Sequence, residues 1–441
     1  MVGFEPDFDA IVVGAGLAGS VAAYELAQAG KSVLVIERGD WPGAKNMTGG
    51  RIYGHALRAV FGERVAEAPL ERRVAHERIS LMAPDANLTV DFSSNDLLED
   101  GQESYTVLRG VFDQWLAEQA ENAGAELICG IPVEGLVRDG DGSLTGAAGR
   151  VIGVRAGEDE MTASVVVLAD GVNSLLTAEA VGYGRPAPAF MAVGVKQLLE
   201  LSEVEIDQRF GCASGQGAAW LFAGDATHGA FGGGFLYTNR ESISIGVVAG
   251  IESVAKKATR PVYQMLEDLK AHPAVAPVIA GARVVEHSGH MVPEGGLAMM
   301  PCLVGDGVVV TGDAAMLCVN LGYTVRGMDY AVTSGQLAGR AVAAALDAGN
   351  VSEAGLSRYT RMLEDSYVLK DMRQFARVPA FMEGFDRMFG VYPAMARDMM
   401  NALFVVDGSP TAPMKKSMLP IVRRAGFGNL FKDARGAMKA L

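Results

Sequence analysis

The feature that most constrains the fold is a glycine-rich turn close to the start of the chain. Residues 14–19 read Gly-Ala-Gly-Leu-Ala-Gly, which is a G-x-G-x-x-G pattern. An apolar strand over 9–13 precedes this turn, a helix over 20–29 follows it, and 33–36 forms a second strand. This order is typical of a dinucleotide-binding βαβ unit, whereas the glycine pattern alone would be weak evidence.

Each position of the turn has a physical reason for its residue type. Gly14 permits the tight turn, and Gly16 lets the backbone approach a pyrophosphate. Gly19 allows the helix to pack closely on the strand. Leu17 and Ala18 lie in the turn just before the helix, whose free amides and positive dipole end favour phosphate groups. We therefore predict that this turn binds a pyrophosphate.

An acidic residue ends the second strand where a ribose is expected. Glu37 lies 21 residues beyond Gly16, and its carboxylate can accept a hydrogen bond from an adenosine ribose hydroxyl. The same negative charge repels a 2′-phosphate, which disfavours NADP as the ligand. Arg38, the next residue, is assigned to the same site.

Later motifs separate FAD from NAD. Residues 308–315 predict a strand that runs into a Gly-Asp-Ala-Ala turn. Asp313 in that turn, which begins at Gly312, can accept a hydrogen bond from a ribityl hydroxyl, a group that flavins have and nicotinamide dinucleotides lack. The loop that contains Gly322 and Gly327 then leads into a helix from about Met328, and the helix N-terminus would stabilise negative charge on a reduced flavin.

A further Asp-Gly turn supports the same cofactor. Residues 165–169 predict a buried strand that ends at Asp170 and Gly171. A single Asp-Gly or Gly-Asp pair is more often a plain turn. The order and separation of these motifs nevertheless predict an FAD-binding protein.

Composition narrows the class of function. The formal net charge of −14 argues against nucleic acid as a partner, because phosphate contacts need clustered Lys and Arg. The four cysteines have no metal-ligand spacing, so no metal site is expected within this chain. Acidic residues precede the first strand and no run of eighteen apolar residues occurs, so neither a signal peptide nor a spanning helix is expected. The predicted location is cytoplasmic, or peripheral on the inner face of the cytoplasmic membrane.

The motifs together resemble an FAD-dependent family that includes hydroxybenzoate-type hydroxylases, geranylgeranyl reductases and electron-transfer-flavoprotein:quinone oxidoreductases. The FixC branch of the last group is similar in segments that read GAKNMTGGRIY (43–53), GGGFLYTN (232–239), HPAVAP (272–277), VPEGG (292–296) and RGMD (326–329). The similarity runs over nearly the whole chain.

The resemblance implies a flavin subunit that passes electrons from an electron-transfer flavoprotein heterodimer toward quinone. In the FixC branch this occurs in an assembly with a ferredoxin-like iron–sulfur subunit, which is associated with flavin-based electron bifurcation. Single-chain members of the family hold a [4Fe–4S] cluster with four C-terminal cysteines. This chain has no cysteine after Cys318, so a cluster would either come from a partner or be absent.

The resemblance also implies roles for individual residues. It places the stretch from Ala44 to Gly50 along the isoalloxazine, Arg109 beside the FAD, Val133 at the adenine, and Gly232 and Gly233 in the quinone site. Within that stretch Lys45, Asn46, Gly49 and Gly50 are candidate flavin contacts. Lys45 is either a cation that compensates charge on the flavin or a loop lysine in solvent. Electron relay needs no general acid or base, so no catalytic residue is assigned.

The predicted fold class is α/β, a Rossmann-like FAD-binding domain of the two-dinucleotide-motif type with an inserted antiparallel sheet and a helical C-terminal region. The FAD-binding domain is expected from 1–80, 105–185 and 285–345, the substrate or quinone domain from 81–104 and 186–284, and the helical region from 346–441.

The last thirty residues, 412–441, carry seven basic residues and one acid, Asp433. They form a solvated tail, a surface for anionic lipid, or a surface for an acidic protein. Two alternatives to quinone-directed electron transfer also remain open. One is a prenyl-chain (geranylgeranyl-type) reductase or monooxygenase on the same fold, and the other is a relay subunit without turnover of its own.

Overall fold

The computed structural model describes residues 5–46, 49–140, 149–184 and 186–441. Its strands are β1 Phe8–Val13, β2 Val33–Ile36, β3 Gly50–Tyr53, β4 Arg73–Ala83, β5 Ala86–Phe92, β6 Ser104–Val107, β7 Glu126–Ile128, β8 Gly135–Arg138, β9 Val151–Ala156, β10 Asp159–Leu168, β11 Met191–Glu200, β12 Gln216–Gly224, β13 Gly232–Thr238, β14 Ser242–Gly250, β15 Arg283–Pro293, β16 Val304–Gly305, β17 Val308–Val310, β18 Val319–Asn320 and β19 Val325–Arg326. Its helices are α1 Leu17–Gln28, α2 Gly54–Phe61, α3 Arg109–Asn122, α4 Leu176–Val181, α5 Glu203–Phe210, α6 Ile251–Lys257, α7 Val262–Ala271, α8 Met328–Asp347, α9 Glu353–Asp365, α10 Tyr367–Gln374, α11 Val378–Glu383, α12 Val391–Phe404, α13 Met414–Ala425 and α14 Phe427–Ala440.

The first sheet has the strand order β16-β17-β10-β1-β2-β7. The pairs β17–β10, β10–β1, β1–β2 and β2–β7 are parallel. Strand β10 ends in the fully buried run 165–168, as is typical of a strand in the interior of a parallel sheet. The crossover from β1 to β2 through α1 is the βαβ unit that the glycine turn predicts.

Close backbone packing explains two glycines of this turn. Gly14 has φ +99°, and a Cβ there would lie 2.6 Å from the carbonyl oxygen of Ala169. A Cβ at Gly19 would lie 1.9 Å from the carbonyl oxygen of Gly14. Only glycine fits such contacts, so α1 can start directly above the end of β1.

The second sheet has the order β15-β11-β14-β13-β12-β4-β6-β3, with β5 at the side of β4. Most of its pairs are antiparallel, but β12 and β4 are parallel. The expectation of an antiparallel sheet is therefore corrected at this pair. A long connection separates the two strands in sequence, which allows them to run in the same direction.

Several strands of the second sheet come from segments that the sequence assigned to the FAD-binding domain, namely β3, most of β4, β6 and β15. The hydrophobic pattern finds strands but does not show which sheet each one joins. The pairing of these strands crosses the domain limits at 80, 105 and 285, which remain a prediction.

The C-terminal region is helical, as predicted. Helix α8 packs on α1 so closely that a Cβ at Gly335 would lie 2.2 Å from the carbonyl oxygen of Ala18. Helices α9 to α14 follow it. Among the helices of the described residues, none is both long and apolar enough to cross a membrane. The α/β class with a second sheet and a helical C-terminal region is thus confirmed.

Candidate functional site

A cavity of about 1110 Å³ lies between the two sheets and the C-terminal helices. Most of the predicted site residues line it: Gly14, Gly16, Leu17, Ala18, Glu37, Arg38, Lys45, Asn46, Gly49, Gly50, Arg109, Val133, Asp170, Gly171, Gly232, Gly233, Asp313, Gly322 and Gly327. Gly19, Ala44 and Gly312 are not among the lining residues. The segments that carry the motifs are distant in sequence, and the fold brings them to one volume.

The glycine turn leaves open space where a pyrophosphate is expected. A Cβ at Gly16 would meet only the tips of two side chains, Arg109 Nη2 at 3.8 Å and Asn46 Nδ2 at 3.9 Å. Gly312 acts differently, because a Cβ there would lie 2.7 Å from the Ala18 Cβ. The Gly-Asp-Ala-Ala turn therefore supports the start of α1 by close packing.

Glu37 is held by backbone amides at the edge of the cavity. Its Oε2 accepts a hydrogen bond from Ala15 N at 2.9 Å, and its Oε1 accepts one from Gly39 N at 2.7 Å. The side chain is buried. Because each carboxylate oxygen has a second lone pair, this carboxylate can still accept ribose hydroxyl groups.

Arg109 is fixed by a residue that the sequence reasoning missed. Asp113, one helical turn further along α3, accepts hydrogen bonds from Arg109 Nε at 2.6 Å and Nη2 at 2.8 Å. The same carboxylate accepts a hydrogen bond from Asn46. Asp113 thereby holds a guanidinium and an amide opposite Gly16. The i,i+4 spacing of Arg109 and Asp113 was a signal that could have revealed the pair.

Two aspartates face the cavity with unused hydrogen-bonding capacity. The Oδ1 of Asp170 is buried and has no hydrogen-bond partner among the described residues. Burial raises the pKa of Asp170 to about 6. Burial also raises the pKa of Asp313, although the Arg109 guanidinium opposes this shift. A ligand that donates hydroxyl groups would satisfy both carboxylates.

Lys196 on β11 is a second residue that the sequence reasoning missed. Its Nζ donates a hydrogen bond to the carbonyl oxygen of Gly49 at 2.6 Å, and only 1% of the residue is exposed. Burial lowers its pKa to about 7. Lys45, the cation that the sequence favoured, lines the cavity but is solvent-exposed. Met47 and Thr48 of the same loop lie outside the described residues.

The loop before α8 closes the cavity opposite these groups. It forms a hairpin in which β18 pairs with β19, and Gly322 between them has φ +82°. Gly327 caps the N-terminus of α8. Both glycines line the cavity, so the free amides of α8 start at its wall, as the sequence predicts.

The predicted quinone glycines lie on β13 in the second sheet. A Cβ at Gly232 would lie 2.1 Å from the carbonyl oxygen of Val248, and one at Gly233 would lie 2.7 Å from that of Phe222. Packing against neighbouring strands is thus sufficient to require glycine here. Both residues line the cavity, and their contact with quinone stays a prediction.

The C-terminal helices line another part of the cavity. Its lining there is apolar and comprises Phe381, Met382, Phe385, Met388, Phe389, Ala437 and Leu441. We call this part the apolar arm.

The residues of the cavity fit FAD. The open glycine turn and the start of α1 suit a pyrophosphate, Glu37 and Asp170 suit hydroxyl groups, and the start of α8 suits the polar edge of a flavin ring. The volume also lies at the upper end of ordinary ligand pockets, as a large dinucleotide requires. FAD would supply the redox chemistry, while the individual contacts remain predictions.

Comparison with known proteins agrees with this geometry. Residues 7–230 match the FAD binding domain model, and residues 378–441 match the model of the ETF-QO/FixC family C-terminal domain. The probable electron transfer flavoprotein-quinone oxidoreductase YdiS of Escherichia coli K12 is 49% identical over 434 residues, which is 98% of this chain and 99% of the relative. Protein FixC of Salmonella typhimurium is 48% identical over 431 residues, which is 97% of this chain and 98% of the relative.

Solved structures share the fold at low sequence identity. A geranylgeranyl bacteriochlorophyll reductase-like protein of Thermoplasma acidophilum has a TM-score of 0.68 at 17% identity, covering 98% of this chain and 99% of that one. The flavin-dependent brominase Bmp2 has a TM-score of 0.62 at 17% identity, covering 95% and 98%.

Fold, cavity and matches together define an FAD-binding oxidoreductase. Within that class, the chain belongs to the ETF-QO/FixC family.

Proposed function

We propose that this chain accepts electrons from an electron-transfer flavoprotein and passes them through FAD to a quinone. YdiS, a relative named for this reaction, is 49% identical over 98% of this chain. The observation on the molecule itself that carries the proposal is the apolar arm, the part of the same cavity that the C-terminal helices line. A quinone with an apolar tail needs such an apolar volume beside the flavin.

The C-terminal surface supports a membrane source for that quinone. Exposed apolar residues cluster there: Phe404, Val405, Val406, Met414, Phe427, Phe431, Met438 and Leu441. Leu441 also lines the apolar arm. The chain would then lie on the membrane surface without spanning it. A quinone dissolved in the bilayer would enter the cavity between these helices.

The charge of this surface also supports binding to a membrane. Asp433, the acid of the tail, is buried and accepts hydrogen bonds from Arg387 and Tyr392. Arg424 forms an ion pair with Asp398 at 3.3 Å. The other bases of the tail form no ion pair with any described residue: Lys415, Lys416, Arg423, Lys432, Arg435 and Lys439. The exposed face is thus basic, which favours anionic lipid over plain solvation.

We further propose that a separate ferredoxin-like iron–sulfur subunit and the flavoprotein heterodimer complete the assembly. The chain has no cysteine after Cys318, so it lacks the C-terminal ligands that a cluster of its own would need. More specifically, we propose that the assembly divides electrons between quinone and a low-potential acceptor, that is, by electron bifurcation.

The decisive assay follows the absorbance of FAD in the purified holoprotein. Reduced electron-transfer flavoprotein should bleach the FAD, and a short-chain quinone should restore the oxidised spectrum. Reduction by NADPH instead, followed by oxidation with a polyprenyl lipid or by oxygen with hydroxylation of a substrate, would replace this function by a reductase or a monooxygenase.

Vesicle flotation tests the membrane surface. The holoprotein should float with vesicles that contain anionic lipid and stay behind with neutral ones. Lys415→Gln with Lys416→Gln should weaken anionic binding roughly 30-fold, whereas Lys256→Gln with Lys257→Gln on α6 removes the same charge elsewhere and should change little. Equal loss in both variants would rule out a specific role for the tail.

A further inference from the structure

A carboxyl group of the second-sheet wall faces the cavity without a cation beside it. Glu294 directly follows β15, lines the cavity and is half-buried. Its two carboxyl oxygens lie 3.3 and 3.1 Å from Asn320 Nδ2. Among the described residues, its side chain makes no ion pair and no other hydrogen bond. An ionised carboxylate in such a place is poorly compensated.

The one partner of this carboxyl is held in a fixed orientation. Asn320 Oδ1 accepts a hydrogen bond from the backbone amide of Gly322 at 2.9 Å. Because that amide can only donate, the Asn320 amide cannot turn over, and its Nδ2 must face Glu294. Asn320 therefore donates a hydrogen bond to Glu294 in either protonation state and stabilises the carboxylate when it forms.

Burial and the hydrogen bond from Asn320 set the pKa of Glu294, and no charged side chain among the described residues contributes to its shift. Cys318 lies on the approach to the same hairpin, and burial together with the nearby carboxylates raises the pKa of its thiol, which keeps it neutral. From α11, Met382 contacts the hairpin, since a Cβ at Gly322 would lie 3.3 Å from its methyl carbon. On the other side, the amide of Glu294 donates to the carbonyl oxygen of Phe190 at 2.8 Å.

These surroundings poise the carboxyl near neutral pH. Exclusion of water by the wall raises the pKa of Glu294 to about 7, and the hydrogen bond from Asn320 opposes a larger shift. A carboxyl with this balance can both release and regain a proton at pH 7, as a general acid must.

We propose that Glu294 donates a proton to the quinone as it is reduced, a role that rests on the function proposed above. Reduction of a quinone to a quinol takes two electrons, which the reduced flavin would supply while its own proton is released to solvent, and two protons, which end on the two carbonyl oxygens. The O–H bond of Glu294 breaks as an O–H bond forms on one quinone oxygen. Asn320 stabilises the resulting carboxylate, and water supplies the second proton and reprotonates Glu294.

This role adds to the sequence-based expectation that electron relay needs no general acid. A quinol carries two protons that the quinone lacks, so delivery to a quinone needs proton donors, whereas an acceptor such as ferricenium takes up an electron alone. Glu294 is thus expected to matter for quinones and not for acceptors that take up electrons alone.

The test compares the wild type with Glu294→Gln, which keeps the size and the hydrogen-bonding capacity of the side chain but has no acidic proton. Glu200→Gln is the matched control, because Glu200 is an exposed glutamate of the same sheet that pairs with Arg283 at the surface. Each holoprotein is reduced chemically, mixed with a short-chain quinone or with ferricenium, and followed by FAD absorbance from pH 5.5 to 9.

With quinone, the wild-type rate should fall as the pH rises through about 7, because the protonated donor is lost. Glu294→Gln should be about 100-fold slower at pH 6 and should lack this step. Ferricenium should oxidise all three proteins at equal rates, which also establishes that the variant is folded and holds FAD. Glu200→Gln should match the wild type throughout.

An infrared titration gives a second readout that needs no turnover. A carboxylic-acid carbonyl band that is lost near pH 7 should be present in the wild type and absent from Glu294→Gln, whereas the band of Asp170, lost near pH 6, should be the same in both proteins. If Glu294→Gln reacts with quinone as fast as the wild type, or if the infrared band assigned to Glu294 does not differ between them, the proposed role of Glu294 is refuted. The proposed function of the chain would still stand. If quinone fails to oxidise even the wild type while ferricenium succeeds, the proposed function itself fails and the role of Glu294 fails with it.

Discussion

Placing a side chain at Gly16 should weaken FAD binding without unfolding the protein. A Cβ there meets no backbone atom within 4 Å, and its nearest neighbours are the side-chain ends of Arg109 and Asn46. The valine methyl groups of Gly16→Val would instead project into the space assigned to the pyrophosphate. Since one hydrogen bond to a charged group contributes about 1.5–3 kcal/mol, losing one should raise the Kd for FAD about 10- to 150-fold.

Gly19→Ala is the matched control, because Gly19 belongs to the same motif but packs inside the protein. Its Cβ would lie 1.9 Å from the carbonyl oxygen of Gly14, a backbone atom that cannot rotate away. This overpacking should cost about 3 kcal/mol of folding stability. Titration of the apoprotein with FAD gives Kd, and thermal denaturation of the apoprotein gives Tm. Unchanged FAD affinity in Gly16→Val would refute the pyrophosphate assignment, and a lowered apoprotein Tm in that variant would refute the steric reasoning.

Three further predictions concern charged groups. FAD affinity of the wild type should fall as the pH drops through about 6, because a ribose or ribityl hydroxyl donates best to ionised Asp170. Asp170→Asn should bind FAD about tenfold more weakly at pH 8, and its affinity should not change as the pH passes through about 6. Lys196→Met should raise the Tm by several degrees at pH 6, and this gain should shrink between pH 7 and 10. The sign follows because the pKa of Lys196 is lowered to about 7 in the folded protein, while an unfolded lysine keeps its proton up to about pH 10.4. Asp433→Asn should speed hydrogen exchange of the α14 amides about tenfold at pH 7. Because Arg387 lowers the pKa of Asp433, the α14 amides of the wild type should lose this protection against exchange only at acidic pH.

The parts of the site that the sequence predicts are those set by local backbone geometry. The turn at Gly14 and Gly16, the acid Glu37 and the turn at Asp313 each depend on neighbours within a few residues or on one βαβ unit. They can be recognised because phosphate and hydroxyl recognition uses backbone amides and short acidic turns.

Asp113, Lys196 and Glu294 were missed for a common reason. Each acts through a partner from a different segment: Asn46 contacts Asp113 across 67 positions, and Lys196 contacts Gly49 across 147. Strand alternation shows that Lys196 lies on a strand, but not that its side chain points to the cavity, since a shift of one residue reverses the face. Sheet membership of β3, β4, β6 and β15 escaped prediction for the same reason.

The two sheets contribute different chemistry to the cavity. The first sheet contributes glycines, backbone amides and the acids Glu37, Asp170 and Asp313, which suit the hydroxyl and phosphate groups of a fixed dinucleotide. The second sheet contributes the titratable groups Lys196, His290 and Glu294, and burial shifts the pKa of each toward its neutral form: lower for Lys196 and His290, higher for Glu294. Lys196 and Glu294 both titrate near pH 7. A new charge in the cavity should therefore change the protonation of these two side chains, because little water is present to screen it. Electron transfer through the cavity should therefore be linked to proton uptake on the second sheet, whereas binding of the dinucleotide depends mainly on the first.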